Sequence, residues 1–191
     1  MSSTQSGEQT TPADGSDAAR RRVDELAGLF RSAPIHRDRD RFSLEVLREL
    51  TGILADAIGL EEAEGFIGLV GGRVGARMDA EYRAAAGVEQ LGREQVAATL
   101  VDLKRRIDGD FSVTHIDDER IVLTNTRCPF GHFVEGREPL CMMTSNVFGR
   151  IAADNLGYAR VDLDQTIARG ADRCRVVVHL REGAGGREYF G

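Results

Sequence analysis

The sequence predicts an α+β fold in which N-terminal helices pack on a small antiparallel sheet and a further helix lies between two pairs of strands. Three observations predict it. Apolar residues recur every three or four positions from Ser43 to Ile107, and the period changes to two at Phe111. The last third then carries short apolar runs on either side of one more helical pattern.

Residues 1–18 are rich in Ser, Thr, Gln, Gly and Asp with almost no apolar content, the composition of a disordered tail. Residues 19–41 form a short helix and linker. Val23, Leu26, Leu29 and Phe30 keep helical spacing until Pro34, and Arg37-Asp38-Arg39-Asp40-Arg41 alternates in sign as a solvated approach does. The main domain is expected over residues 42–182.

Its first helix starts at Ser43, an acceptable N-cap, and runs through Leu44, Leu47, Leu50 and Leu54 to Gly59. A second extends from Glu61 to Ala86, with Phe66, Ile67, Val70, Val74, Met78 and Tyr82 on its apolar side. Glycines 65, 68, 72 and 75 recur along it, although each costs about 1 kcal/mol relative to Ala inside a helix. Something therefore approaches this backbone closely, either another helix packed through small residues or a ligand. Gly68, Gly72 and Gly75 are the candidates for a ligand pocket. Gly71 to Gly75 is not a phosphate loop, because the Lys-Ser/Thr ending and a preceding strand are absent.

A third helix is expected over Arg93–Ile107, closed by Gly109. Phe111, Val113 and His115 alternate with polar neighbours, Asp117 and Asp118 make a turn, and Ile121–Asn125 returns as a strand. A helix from Pro139 to Asn155 follows, with proline favourable in its first turn and Gly157 as its stop. Two final strands are expected over Ala159–Ala168 and Arg173–Leu180. The glycine-rich end, residues 183–191, is expected to fray.

A chain of 191 residues fits one ordinary domain with an extension. The net charge of −6 argues against an extended nucleic-acid surface. Lys104, Arg105 and Arg106 sit at the C-terminal end of the third helix, where they complement the dipole rather than read DNA. Lys104, the one lysine among 25 basic residues, reads as a compositional preference for arginine. With neither a secretory signal pattern nor an apolar run of membrane-spanning length, the expected location is the cytoplasm.

Chemistry concentrates in the last third. Cys128, Cys141 and Cys174 are the only thiols, and His132 follows the first by four residues. In a reducing compartment an odd set of cysteines is more often reduced, metal-bound or redox-active than disulfide-paired. Three thiolates and an imidazole suit tetrahedral zinc or an iron–sulfur cluster, whereas the bland alternative is three small hydrophobes in a core. No CxxC pair is present. A helix start at Cys141 and arginines 127, 173 and 175 beside the other two suggest thiolates rather than neutral thiols. Neither Gly-x-Ser-x-Gly nor His-Glu-x-x-His occurs, so hydrolytic motifs are absent. A cysteine nucleophile served by His132 or His115 is one alternative, but it leaves the other cysteines without a role and the balance is against an enzyme.

The segments Asn125-Thr-Arg-Cys-Pro-Phe-Gly131, Pro139-Leu-Cys-Met-Met143 and Ala168-Arg-Gly-Ala-Asp-Arg-Cys-Arg-Val-Val-Val178 resemble the methanogen output domain and, more distantly, four-vinyl-reductase-type sensor domains. They are also similar to the C-terminal half of the suf-operon iron–sulfur repressors. The likeness covers roughly residues 43–181. It implies a sensing or relay domain, acting as a homodimer or with a regulatory partner, with Cys128, Cys141 and Cys174 as ligands of an iron–sulfur cluster or, alternatively, zinc. The chain lacks the repressors' winged helix and additional cysteine, so His132, another oxygen or nitrogen donor, or an exogenous thiol is left as fourth ligand. The competing function is a small-molecule sensor with structural cysteines and a pocket along residues 65–75.

Overall fold

The computed structural model describes residues 14–34 and 37–191. The expected tail falls outside them over residues 1–13, as does His36, while residues 14–18 already belong to a helix. The chain divides into two compact units, residues 1–39 and 40–191. In the first, α1 (Asp14–Ser32) carries Val23, Leu26, Leu29 and Phe30 exposed along one stripe.

In the second unit, α2 (Arg39–Ile58) begins four residues before the expected N-cap at Ser43, with Asp40 in its first turn complementing the dipole. Gly59, at φ 90°, ends α2 and caps α3 (Leu60–Ala86), so a single residue in the left-handed region makes the corner between two long helices. Next comes α4 (Arg93–Arg105), where the Gln95 side chain accepts from Gly92 N at 2.8 Å. The chain leaves α4 two residues earlier than its pattern suggests, because the amides of Ile107 and Gly109 both turn back to Lys104 O.

The hairpin forms as β1 (Ser112–Ile116) and β2 (Arg120–Asn125). Asp117 Oδ1 accepts from the amides of Glu119 and Arg120, both at 2.8 Å, which fixes its turn. β1 is an exposed edge strand with a bulge after Val113, so its alternation does not mark a buried face. α5 (Glu138–Leu156), β3 (Tyr158–Gln165) and β4 (Cys174–His179) follow.

The end expected to fray is instead a fifth strand, β5 (Arg187–Phe190), paired with β3. Arg160, 6% exposed, donates to Ala184 O at 2.9 Å and to Gly185 O at 3.1 Å. Gly185 and Gly186 take positive φ to make the turn, and the ring of Tyr189 lies against Gly149. A buried arginine thus gathers the glycine-rich segment that composition alone marks as loose.

The sheet is antiparallel, in the order β1-β2-β4-β3-β5. Register aligns Ile121, Val178 and Val161 in one row and Leu123, Val176 and Leu163 in the next. These rows meet Phe148, Ile151 and Ala152 of α5 and Leu100 of α4 in one core. Phe111 packs edge-on against Phe148, centroids 5.5 Å apart. The fold class is α+β as expected, but α3 packs chiefly on α5 rather than on the sheet. Asp79 of α3, fully buried, accepts from Asn155 Nδ2 of α5 and pairs with Arg83, while Asn155 Oδ1 takes the amide of Leu91.

Candidate functional site

The three thiols arrive from three elements. Cys128 follows β2 in a loop fixed by Asp110, whose carboxylate accepts from Thr126 N at 3.0 Å and Arg127 N at 2.7 Å. Cys141 lies in the first turns of α5. Cys174 opens β4 directly opposite Asn125 of β2, and its Sγ accepts the amide of Ile167 at 3.5 Å. All three line one small cavity of about 20 Å³, walled by Phe111, Phe130, Val134, Leu140, Leu163 and Val176. That volume suits a water-sized occupant.

Burial pushes all three thiols up, so they are neutral at pH 7. Cys141, also repelled by charge at Cys174 and Cys128, is raised to about 12. At Cys128 a backbone hydrogen bond from Phe130 opposes the rise, and at Cys174 the amide of Ile167 does. Without a bound metal the burial of these groups thus favours the protonated form over the expected thiolates. Desolvation outweighs the helix dipole, and two of the nearby guanidiniums are engaged elsewhere, Arg173 by Asp172 at 3.0 Å and Arg175 by Asp164.

Lys104 is the part of the site that sequence reasoning missed. Only 4% exposed, its Nζ donates to Thr144 Oγ1 at 2.8 Å and lies 5.3 Å and 5.7 Å from the ring centroids of Phe148 and Phe111. Burial lowers its pKa to about 8, against the opposing pull of the three cysteines. The available signal was that the single lysine of an arginine-rich chain falls where α4 turns inward, beside Leu100 and Leu103. Two more polar groups at the cavity are only 3% exposed: Asn125 Oδ1 and Thr166 Oγ1 have no hydrogen-bond partner. Asn125 Nδ2 donates to Arg127 O at 2.6 Å, which leaves Oδ1 as the unsatisfied end.

His132 stands apart. It is exposed, stacks on Phe133 with centroids 4.0 Å apart, and does not line the cavity. His115 is bonded to Asp117 on the edge strand, so neither proposed base accompanies a thiol. Among the described residues no three His, Cys, Asp or Glu side chains are disposed to hold a single metal ion.

The glycines of α3 divide by role. A Cβ on Gly71 would lie 2.6 Å from Asn146 Cβ, and one on Gly75 would lie 3.1 Å from Arg150 Cβ, so these two admit α5. Gly68 faces Arg187 and Asn146, whereas Gly65 and Gly72 face open space. Gly65, Gly68 and Gly72 line an open trough that Gly75 does not reach.

Among the described residues no helix is long and apolar enough to cross a membrane. No curated protein matches the chain. The solved structures that share its fold include two of particular interest. One is the phenol-responsive sensory domain of the transcription activator PoxR with phenol, 13% identical at TM-score 0.61, covering 71% of this chain and 73% of that one. The other is trafficking protein particle complex subunit 3 from Naegleria fowleri covalently bound to palmitic acid, 17% identical at TM-score 0.53, covering 74% and 97%. The sequence itself matches the family described as methanogen output domain 1 over residues 46–179, a span that takes in α4, the sheet through β4 and all three cysteines, and the chain belongs to that family of output domains.

Proposed function

We propose that this output domain receives its signal at the cavity of Cys128, Cys141 and Cys174, and that the three cysteines hold an iron–sulfur cluster. The observation that carries the reading is the convergence of three sulfurs, from three separate elements, on one enclosed space beside buried Lys104. Sulfur is the donor such a cluster takes. A doubly positive core bound by three thiolates keeps one negative charge, which protonated Lys104 offsets. The unsatisfied oxygens of Asn125 and Thr166 favour an occupant in the cavity.

Among the described residues the three sulfurs do not surround a single ion, which disfavours zinc. A cluster needs more room than about 20 Å³, so this reading requires the cavity walls to move apart on binding. With His132 outside, the fourth position falls to an oxygen donor or an exogenous thiol. Release of one thiolate would alter the start of α5 through Cys141 and pass to a second copy or a regulatory partner in the cytoplasm.

Anaerobic reconstitution with iron and sulfide tests this. Bound iron and sulfide with visible absorption are expected for the native chain, and loss of both in Cys128→Ser, Cys141→Ser or Cys174→Ser. A colourless, iron-free, folded protein overturns the reading; stoichiometric zinc in its place supports the alternative metal. The phenol-bound structural neighbour favours a second reading, a small-molecule sensor with structural cysteines. That reading predicts saturable binding of phenol that survives the serine substitutions. Neutral thiols with neither His132 nor His115 at the cavity disfavour a cysteine nucleophile served by histidine.

A further inference from the structure

We propose that the trough between α3 and the α5–β5 corner is a binding site for a small phosphate- or carboxylate-bearing molecule that also carries an N–H or O–H donor. The site is separate from the thiol cavity and does not depend on what fills it. The trough has a volume of about 590 Å³, within the range of small-ligand sites. Three guanidiniums reach it, from Arg73 on α3, Arg150 on α5 and Arg187 on β5.

Arg150 is paired with Asp154 at 2.8 Å, but among the described residues the side chains of Arg73 and Arg187 have no hydrogen-bond or ion-pair partner. The one carboxylate lining the trough, Glu188, accepts from the hydroxyl of Tyr158 at 2.8 Å and keeps its charge. With Arg150 paired to Asp154, Arg73 and Arg187 still outnumber it, so a chain of net charge −6 presents here a concave surface with an excess of positive charge. Guanidinium forks match phosphate and carboxylate oxygens.

Two further observations point to an occupant. Asn146 donates through Nδ2 to Met142 O at 2.7 Å, which leaves its Oδ1, close to Gly68 at the trough and reached by solvent, without a protein donor. That oxygen accepts a ligand N–H or O–H. Gly65 and Gly72, in contrast to Gly71 and Gly75, are not demanded by packing within the chain, since a Cβ at either meets nothing within 4 Å. Their helix penalty has no internal compensation, which is what a wall of bare backbone beside a ligand would explain.

Calorimetric titration of the full chain with inorganic phosphate and, separately, malate, whose hydroxyl supplies the donor, tests the site and distinguishes the two oxyanions. Saturable binding of at least one probe is expected, weakened by added salt and by about tenfold or more in Arg73→Ala and Arg187→Ala. Gly72→Ala is expected to keep or raise the thermal midpoint while weakening the same binding several-fold, which separates the wall from the fold. Saturable binding of neither probe, or binding unchanged in the arginine variants or in Gly72→Ala, overturns the proposal.

Discussion

Lys104 occupies a place where an ammonium group is costly. Its pKa falls from an ordinary 10.5 to about 8 because burial disfavours the charged form, a penalty of about 3 kcal/mol at neutral pH. The Thr144 hydroxyl and the faces of Phe111 and Phe148 offset part of it. A lowered lysine pKa means that the unfolded chain binds more protons between about pH 8 and 10.5, so this group makes stability rise with pH across that window. Cys141 acts oppositely: raised from 9.0 to about 12, it holds its proton in the fold, and the stability it contributes is present below pH 9 and lost towards 12. In Lys104→Met the charge penalty vanishes and the thiol contribution is retained. The metal-free variant should therefore be about 1–3 kcal/mol more stable than the native chain at pH 7, with that advantage shrinking as pH approaches 10. Urea midpoints at pH 7 and 9.5 measure it, and an advantage independent of pH would show that the lysine is not the buried charge described.

At the scale of elements, the fold depends on how closely α3 can lie on α5. Gly71 and Gly75 remove the side chains that would hold the helices apart, and the Asp79–Asn155 hydrogen bond ties the two helices together. On the other side of α5, Gly149 leaves room for the ring of Tyr189 and so lets β5 reach the sheet's edge. Alanine substitutions should accordingly divide by position. Gly71→Ala and Gly149→Ala force backbone or ring to move and should cost about 1–3 kcal/mol, or more at position 149. Gly65→Ala meets nothing and should gain up to about 1 kcal/mol from helix propensity. Thermal denaturation of the three variants gives the order directly; equal losses at 65 and 71 would mean that α3 does not pack on α5 through the face described.

Across the whole molecule, helical periodicity marked α2, α3, α4 and α5, and the shift to period two marked β1 and β2 as extended chain, although β1 is exposed along its whole length and its alternation reports no buried face. β5 was illegible, since its place depends on Arg160 and Gly149, which lie far from it in sequence. The three cysteines could be singled out by residue type, but their protonation could not, because burial is a property of the assembled core. Lys104 was hidden for the same reason. The convergence has a mechanical consequence. Cys128, Cys141 and Cys174 belong to the loop after β2, the start of α5 and the start of β4, so an occupant held by all three would add a cross-link to segments that already meet at the Asn125–Cys174 pairing and in the smaller cluster of Val134, Leu140 and Ala168. Anything that binds the folded state alone stabilises it by mass action, and here the gain should concentrate where the links are made. Hydrogen exchange of the reconstituted and metal-free proteins should therefore differ most at residues 126–142 and 166–175, with β1 and α3 nearly unchanged. Slowing spread evenly over the chain, or confined to α3, would place the stabilising contact away from the thiols.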